Sequence, residues 1–216
     1  STGYKRTGSI SLATNLERME ELNRQASTAR AFGVEAEIIQ PQDVLQYWPG
    51  INLDGVAGAV YLPGDGQTNP VDTTMALAKG ARSGGAMIFE NQEVLELLTN
   101  AGGICGVRTS AGEISANKVV LASGMWSRQL AATIGVSIPL QAAEHFYIVT
   151  EPMQTLTAGM PTLRVPDEQA YFKEDAGKLL LGAFELEAKP WSVDGVPADF
   201  AFGTLPDDMD HFAPIM

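Results

Sequence analysis

The stretch from Glu113 to Trp126, EISANKVVLASGMW, constrains the fold of this chain more than any other. Within it, the run Val119–Ala122 is short, apolar and bounded by turn residues, as is typical of a strand buried on both faces of a sheet. The run ends at Ser123 and Gly124, small residues that let the backbone approach another group closely. The stretch therefore predicts a buried strand that leads into a corner.

The residues just before this stretch predict a β-hairpin. The sequence GGICGVRTSAGEI ends at Ile114. A strand over 104–108, a turn at Ser110–Gly112 and a returning strand from Glu113 fit the pattern of two short strands around a turn. The hairpin and the buried strand together predict an α/β protein with a β-meander.

Apolar periodicity and turn residues predict the elements of the remaining chain. Asn15 is suited to cap a helix that ends at Gly33, and Pro41 is suited to open a short second helix. Further helices are predicted at 71–82 and 126–134, and strands at 8–13, 34–39, 56–62, 86–89, 94–98, within 139–150 and as a hairpin within 163–187. This order predicts an α/β body at 69–136, flanked by two parts, 1–68 and 137–216, whose antiparallel strands form a second body.

Composition narrows the classes of function. The 216 residues carry a net charge of −12, which repels phosphate backbones, so we expect no nucleic-acid partner. No apolar run approaches the roughly 18 residues of a membrane span, so we expect no membrane insertion. Cys105 is the only cysteine, which excludes an intrachain disulfide and favours a reducing compartment. His145 and His211 are too few and too separated for a zinc-type site, so we expect no metal.

Five segments resemble, in order, the sequence patterns of one enzyme family. They are TGSISLATNLERMEELNRQ, PGDGQTNP, GGICGVRTSAGEISANKVVLASGMW, EHFYIVTEP and LRVPDEQAYFKEDAGKLLLGAFE. Together they resemble the FAD-dependent D-amino-acid oxidase superfamily, and within it the branch of dimethylglycine dehydrogenase and sarcosine dehydrogenase. The resemblance implies that 69–136 is the middle part of an FAD-binding domain with the β-meander, and that 1–68 and 137–216 form an antiparallel-sheet substrate domain.

Features of that family are absent from this sequence. The superfamily holds the FAD pyrophosphate on a strand–GxGxxG–helix unit, whereas Gly64 and Gly66 here are followed by Asn69 and not by a third glycine. The histidine that links the flavin in this branch would precede Ser1, and the part that covers the flavin would follow Met216. We therefore expect the middle portion of a longer enzyme, with tetrahydrofolate bound, in folate-linked members, by a further domain not present here.

The resemblance implies oxidation of an N-methylated amino acid, in which a hydride leaves the carbon beside nitrogen for the flavin. His145 and Tyr171 match positions that face the substrate, and we expect them to be catalytic because either side chain can hold or accept the amine proton. Arg164 matches an arginine suited to bind the substrate carboxylate bidentately. Lys173 and Tyr147 are further substrate-binding candidates. Ordinary packing of the aromatic residues and solvated charge on the cations are the alternatives.

The same resemblance identifies candidate contacts to FAD. Val94 corresponds to a position that often contacts the adenine side of the cofactor through its backbone. The corner near the ribose and flavin corresponds to Ala122, Ser123, Gly124 and Trp126. Plain sheet packing is the alternative for these positions.

These features predict a fragment of an FAD-dependent amine dehydrogenase or oxidase that acts on sarcosine- or dimethylglycine-like substrates, in the bacterial cytoplasm or the mitochondrial matrix. One alternative is another amino- or hydroxy-acid oxidase of the same superfamily. The second is an FAD-free acidic binding or assembly module. The sequence leaves open whether electrons pass to oxygen or to an acceptor protein.

Overall fold

A computed structural model describes residues 2–216, and these residues fold into two compact units. The first unit comprises the chain up to Gly85 together with His145–Glu187 and Asp208–Met216. The second unit comprises Ala86–Glu144 and Ala188–Asp207. Both units are therefore assembled from segments that are far apart in the sequence. The division into 1–68, 69–136 and 137–216 stays a prediction.

Ten strands and five α-helices make up the two units. The strands are β1 Ser9–Ala13, β2 Glu37–Ile39, β3 Gly58–Leu62, β4 Val94–Asn100, β5 Gly103–Thr109, β6 Gly112–Ser115, β7 Tyr147–Val149, β8 Thr162–Val165, β9 Ala170–Asp175 and β10 Lys178–Ala183. The helices are α1 Leu16–Ala31, α2 Pro41–Val44, α3 Pro70–Ser83, α4 Ser127–Ala132 and α5 Met209–Phe212. Short 3-10 helices cover Gly124–Trp126, Pro166–Glu168 and Ala213–Ile215. The mixed α/β class predicted from the sequence is confirmed.

The first unit is built on a seven-stranded sheet with the strand order β2-β3-β1-β8-β9-β10-β7. All neighbours in it are antiparallel except β1 and β8, which pair in parallel from Ser9↔Thr162 to Ser11↔Arg164. The predicted antiparallel sheet therefore contains one parallel pair of strands. A tight turn forces neighbouring strands to run antiparallel, but no tight turn joins β1 to β8 and either direction is open to them.

The core of the first unit lies on the sheet. Ile10 and Leu12 alternate with less buried residues along β1 and are 0% and 2% exposed, as expected for a strand with one face in the core. Trp48 joins this core, and its indole Nε1 donates a hydrogen bond to the carbonyl of Pro161 at 2.9 Å. Helix α1 packs Leu22 and Ala26 against a second cluster of the same unit.

Helix α1 begins and ends as its sequence predicts. The Asn15 side chain accepts a hydrogen bond from the Arg18 amide at 2.7 Å and so satisfies one of the free N–H groups of the first turn. Gly33 follows the helix with a φ of +78°, the left-handed conformation that glycine adopts most easily.

The second unit contains the predicted β-meander. Strands β4, β5 and β6 form a three-stranded antiparallel sheet in that order. Gly106 in β5 has a φ of +156°, and a Cβ there would overlap the carbonyl of Ile114 on β6, so a glycine is required for the two backbones to approach. The meander leads through a coil to the 3-10 helix Gly124–Trp126 and then to α4.

Two predicted strands are absent from this structure. Val119–Ala122 and Ala86–Phe89 have no strand conformation and no ladder partner among residues 2–216. Val120 is 88% exposed and Met87 is 81% exposed. A strand forms only where a neighbour accepts its backbone hydrogen bonds, and an apolar run alone does not supply that neighbour.

Candidate active site and cofactor cavity

His145 and Tyr171 meet in the first unit, as a substrate-handling pair requires. His145 precedes β7 and Tyr171 lies in β9, with β10 between these two strands. The His145 Nε2 and the Tyr171 phenol oxygen are 3.0 Å apart, a hydrogen bond whose direction depends on which ring nitrogen carries the proton. The two rings are nearly parallel, at 6° with centroids 5.9 Å apart. The catalytic role of the pair stays a prediction.

The sheet register brings a row of residues to one face. Arg164 of β8 pairs with Tyr171 of β9, Tyr171 pairs with Gly182 of β10, and Gly182 pairs with Tyr147 of β7. Residues paired across neighbouring strands point to the same face of a sheet. The register therefore places Arg164, Tyr171 and Tyr147 on one face of the first unit.

Phe184 belongs to this cluster, and sequence analysis missed it. Its ring lies 5.4 Å from the ring of His145 and 5.1 Å from that of Tyr171, centroid to centroid. The Arg164 guanidinium carbon lies 6.0 Å from the same ring, within the range of a cation–π contact. The available signal was its spacing two residues after Gly182, which puts both on one strand face.

Arg164 is the exposed cation of this cluster. It lines a cavity of about 340 Å³ with Pro166, Gln169, Ala170, Phe184 and Leu186. Within residues 2–216 its guanidinium takes part in no hydrogen bond or ion pair, and it lies over the Phe184 ring. Its donors are therefore available to a carboxylate.

Lys173 and Tyr147 are placed differently from Arg164. The Lys173 ammonium donates to the Asp175 carboxylate at 3.2 Å, so its charge already has an acidic partner. Tyr147 is 57% exposed on the far side of Gly182 from Tyr171. Both substrate-binding roles stay predictions.

The phenol of Tyr171 is held in its protonated form. Burial raises the pKa of Tyr171 above its usual value, and repulsion from the Tyr147 phenolate, once that group is ionised, and from the Glu185 carboxylate raises it further. A tyrosine ordinarily titrates near pH 10. At neutral pH this phenol is therefore both a donor and an acceptor.

Asp167 fixes the turn that follows Arg164. Its carboxylate accepts hydrogen bonds from the Thr14 hydroxyl at 2.9 Å and from the Arg18 Nε at 2.8 Å. Burial acts to raise the pKa of Asp167, but the hydrogen bonds from Arg18 and Thr14 outweigh it, and the net pKa lies below the usual value. The carboxylate therefore ties helix α1 to the end of β8.

The five residues predicted to contact FAD line one cavity of the second unit. This cavity has a volume of about 850 Å³, and its lining is mainly apolar. The predicted residues on its wall are Val94, Ala122, Ser123, Gly124 and Trp126. A Cβ at Gly124 would have nothing within 4 Å, so the backbone there is open to an approaching group. Size, apolar lining and small residues fit part of a dinucleotide. The FAD contacts stay predictions.

A returning segment completes this cavity and was not predicted. Val196 and Ala198 lie on its wall. The Gln129 amide of α4 donates to the Val196 carbonyl at 3.0 Å and accepts from the Val196 N–H at 2.9 Å. The Trp126 indole donates to the Pro197 carbonyl at 3.0 Å. These bonds hold the segment against α4, which a local sequence pattern does not reveal.

The described residues contain no candidate metal site and no candidate membrane-spanning helix. Among residues 2–216, no three histidine, cysteine, aspartate or glutamate side chains converge as metal ligands do. None of the helices in that range combines the length and the apolar character that crossing a bilayer requires.

Comparison with characterised proteins identifies relatives along nearly the whole chain. The chain is 38% identical over 212 residues to 4-methylaminobutanoate oxidase (formaldehyde-forming) of Paenarthrobacter nicotinovorans. The aligned region covers 98% of this chain and 26% of that protein. It is 36% identical over 218 residues to the mitochondrial pyruvate dehydrogenase phosphatase regulatory subunit of Mus musculus, covering 100% and 25%. It is 33% identical over 217 residues to mitochondrial dimethylglycine dehydrogenase of Rattus norvegicus, covering 97% and 25%. The chain thus spans about a quarter of these relatives.

A solved structure and a family model are consistent with these relatives. The structure resembles the crystal structure of L-proline dehydrogenase from P. horikoshii with a TM-score of 0.75 and 27% identity, over 84% of this chain and 50% of that one. The family model described as FAD dependent oxidoreductase matches residues 1–215. Because that match covers nearly every residue, the chain belongs to the FAD-dependent oxidoreductase family.

Proposed function

We propose that this chain is part of an enzyme that oxidises the carbon beside nitrogen in an N-methylated amino acid of the dimethylglycine or sarcosine type. The observation that carries the proposal is the hydrogen-bonded pair of His145 and Tyr171, with Arg164 on the strand next to Tyr171. An amino acid presents an amine and a carboxylate, and this cluster offers a proton-handling pair and a cation. The family supports FAD as cofactor.

The substrate class rests on the names of relatives as well as on this cluster. The names 4-methylaminobutanoate oxidase and dimethylglycine dehydrogenase both denote oxidation of an N-methylated amino acid. One relative is named a glycine oxidase. Oxidation of a different amino acid is therefore the nearest alternative.

Each residue of the cluster has its own role in the proposed oxidation. Bound FAD supplies the acceptor for the hydride. Arg164 binds the substrate carboxylate through two parallel N–H···O bonds. The Tyr171 oxygen takes the proton of the ammonium group as its own phenol proton passes to His145 Nε2, so the lone pair on nitrogen becomes free. Phe184 packs against both rings and helps to hold them in place.

The remaining parts of the proposal concern partners. Lys173 and Tyr147 extend the substrate surface beyond Tyr171. The electrons pass to oxygen or to an acceptor protein, and tetrahydrofolate is a further cofactor if a folate-binding domain accompanies this chain. The names of two relatives place them in mitochondria. We propose the bacterial cytoplasm or the mitochondrial matrix for this one.

A second candidate is a regulatory binding module without redox activity. The relative from Mus musculus is named as a regulatory subunit, and it is as similar as the named enzymes. The net charge of −12 would suit a partner with a basic surface.

Anaerobic mixing of the flavin-loaded enzyme that contains this chain with substrate separates the two candidates. The proposed enzyme bleaches its flavin absorbance in a single turnover with dimethylglycine or sarcosine, and the bleaching rate rises with substrate concentration to a plateau. Glycine and proline serve as comparison substrates. A flavin that stays oxidised with every one of these amines would rule out the enzyme proposal and favour the binding module.

A further inference from the structure

We propose that Gly182 is a positioning residue: its missing side chain provides the space in which the Tyr171 ring lies across β10 and reaches His145. The inference rests on the proposed function for its catalytic consequence. Its structural content, that Gly182 sets the position of Tyr171, stands independently. Gly182 is buried directly before the last residue of β10, which lies between β9 and β7.

The first argument is steric. A Cβ placed on Gly182 would overlap three atoms of Tyr171, namely Cζ, the phenol oxygen and Cε1. All three contacts would lie well inside 3.0 Å, a limit that real Cβ atoms essentially never cross. These atoms form the far edge of a rigid ring, so rotation about a single terminal bond does not relieve the overlap. Tyr171 therefore occupies the space that any side chain at position 182 would fill.

The second argument excludes a conformational reason for the glycine. Gly182 is not among the residues with positive φ, so its backbone conformation is open to any amino acid. A glycine inside a strand weakens the strand through its extra freedom in the unfolded chain. Because the conformation does not require glycine, space is the remaining requirement.

The third argument is that the backbone of β10 has no room to withdraw. Gly182 pairs with Tyr171 on one side and with Tyr147 on the other. Moving it would disturb both ladders, and each backbone hydrogen bond lost in a buried sheet is costly. The clash created by a side chain would therefore displace the Tyr171 ring and not the strand.

The position of the ring decides whether it meets His145. The strand of Tyr171 and the chain of His145 lie on opposite sides of β10, two strand spacings or about 9–10 Å apart. Tyr171 spans this gap by lying over Gly182, and its oxygen ends 3.0 Å from His145 Nε2. Phe184, the residue directly after β10, packs against both rings.

The test uses Gly182→Ala in the flavin-loaded enzyme that contains this chain. Gly58→Ala is the matched control, because Gly58 is also a buried strand glycine of the same sheet. A Cβ there would meet the Met19 sulfur at 2.8 Å, and the flexible methionine end is able to move aside. We expect the control to keep the wild-type rate of flavin reduction, and Gly182→Ala to lose about 10²–10⁴-fold, the usual loss of one proton-transfer group.

A spectroscopic readout separates positioning from activity. In protein labelled at the tyrosine Cζ with ¹³C, the Tyr171 signal is assigned by its loss in Tyr171→Phe and followed against pH. We expect Gly182→Ala to shift this signal and to lower the pKa of Tyr171 toward an ordinary tyrosine value, because the displaced ring becomes solvated. Gly58→Ala should leave the signal in place. An unchanged Tyr171 signal in Gly182→Ala would overturn the inference.

Two other outcomes of the Gly182→Ala experiment also have a definite meaning. If the Tyr171 signal moves but flavin reduction keeps its rate, Gly182 positions the ring and the catalytic role of Tyr171 is wrong. If Gly182→Ala does not fold, the same change is made in a Tyr171→Ala background, where the clash is gone and folding should return. A Gly182→Ala variant that stays unfolded in that background would refute the steric link to Tyr171.

Discussion

At the scale of single residues, the cluster separates proton handling from charge recognition. His145 and Tyr171 share one hydrogen bond, and the Arg164 guanidinium lies over the Phe184 ring with no ion pair among the described residues. A paired arginine would have to break an ion pair to bind a substrate. An unpaired arginine avoids that step. The two tasks can therefore be tested by separate substitutions.

Removing the proton-handling groups should slow chemistry and leave the fold intact. We expect Tyr171→Phe and His145→Ala each to reduce the single-turnover rate of flavin bleaching by about 10²–10⁴-fold. Tyr47→Phe is the matched control, since it deletes a phenol oxygen from a ring that packs against Tyr61 in the same unit. Circular dichroism melting should be nearly unchanged in all three. Rates for Tyr171→Phe and His145→Ala within about threefold of wild type would leave only packing roles for both residues.

Replacing the arginine should weaken recognition of the substrate carboxylate. We expect Arg164→Lys to raise KM for dimethylglycine about tenfold to a hundredfold, because a lysine cannot form the bidentate pair and a charged hydrogen bond contributes about 1.5–3 kcal/mol. An amine without a carboxylate, such as trimethylamine, should react equally poorly with both proteins. Arg24→Lys is the control, because Arg24 is an exposed partner of Glu20 on α1. An unchanged KM for dimethylglycine would exclude Arg164 as the carboxylate site.

At the scale of elements, helix α1 and the turn after β8 are joined by one carboxylate. Asp167 accepts from Thr14, beside the start of α1, and from Arg18 in its first turn. The turn itself, Pro166–Glu168, lines the cavity of Arg164 through Pro166. The orientation of the arginine strand therefore depends on a bond to a helix from the other end of the sequence.

This carboxylate should make stability depend on acid pH. Because the folded-state pKa of Asp167 lies below that of the unfolded chain, its contribution is fully present above about pH 4 and is lost as pH falls through the folded value. We expect Asp167→Asn to lower the melting temperature by a few degrees at pH 7, and the difference from wild type to shrink as the pH falls below about 4.

The control for this variant is Asp54→Asn, which changes an exposed loop carboxylate of the same unit. Its melting curve should follow wild type throughout the pH range. A constant difference between Asp167→Asn and wild type from pH 3 to pH 7 would mean that ionisation of Asp167 does not stabilise the fold.

At the scale of the whole molecule, local patterns predicted the elements and failed where a distant partner decides. The β-meander and the helices at 16–31 and 70–83 follow from turn residues, caps and apolar spacing, which are local. The runs Val119–Ala122 and Ala86–Phe89 have the same local signature as strands, but no neighbouring strand pairs with either among the described residues. Strand pairing is a non-local property, so the sequence pattern overestimates it.

The candidate site, like the fold, was predicted only in part from the sequence. His145, Tyr171 and Arg164 came from a family resemblance, and the sheet register then brought them to one face. Gly182 carries no signal of its own and Phe184 only its spacing from Gly182, because the importance of both comes from the residues that they contact. Knowing the register first would have identified both.

The cofactor cavity leads to a prediction for this polypeptide expressed by itself. Its 216 residues contain no GxGxxG motif, and in this fold that loop and the helix after it supply much of the pyrophosphate recognition. We expect the purified polypeptide to bind FAD weakly, with a small change in flavin fluorescence on titration. A yellow protein that keeps one FAD per chain through gel filtration would contradict this expectation.

The parallel pairing of β1 with β8 has a consequence for the order of folding during synthesis. Strand β1 leaves the ribosome well before β8, because the paired residues Ser9 and Thr162 are separated by roughly 150 residues of chain. At about 5–20 residues per second, the inner edge of β1 stays unpaired for roughly ten to thirty seconds. An open strand edge is a template for pairing with other chains. The nascent chain therefore passes through an aggregation-prone interval that closes when β8 arrives, and chaperones that bind extended segments would act on β1 during that time.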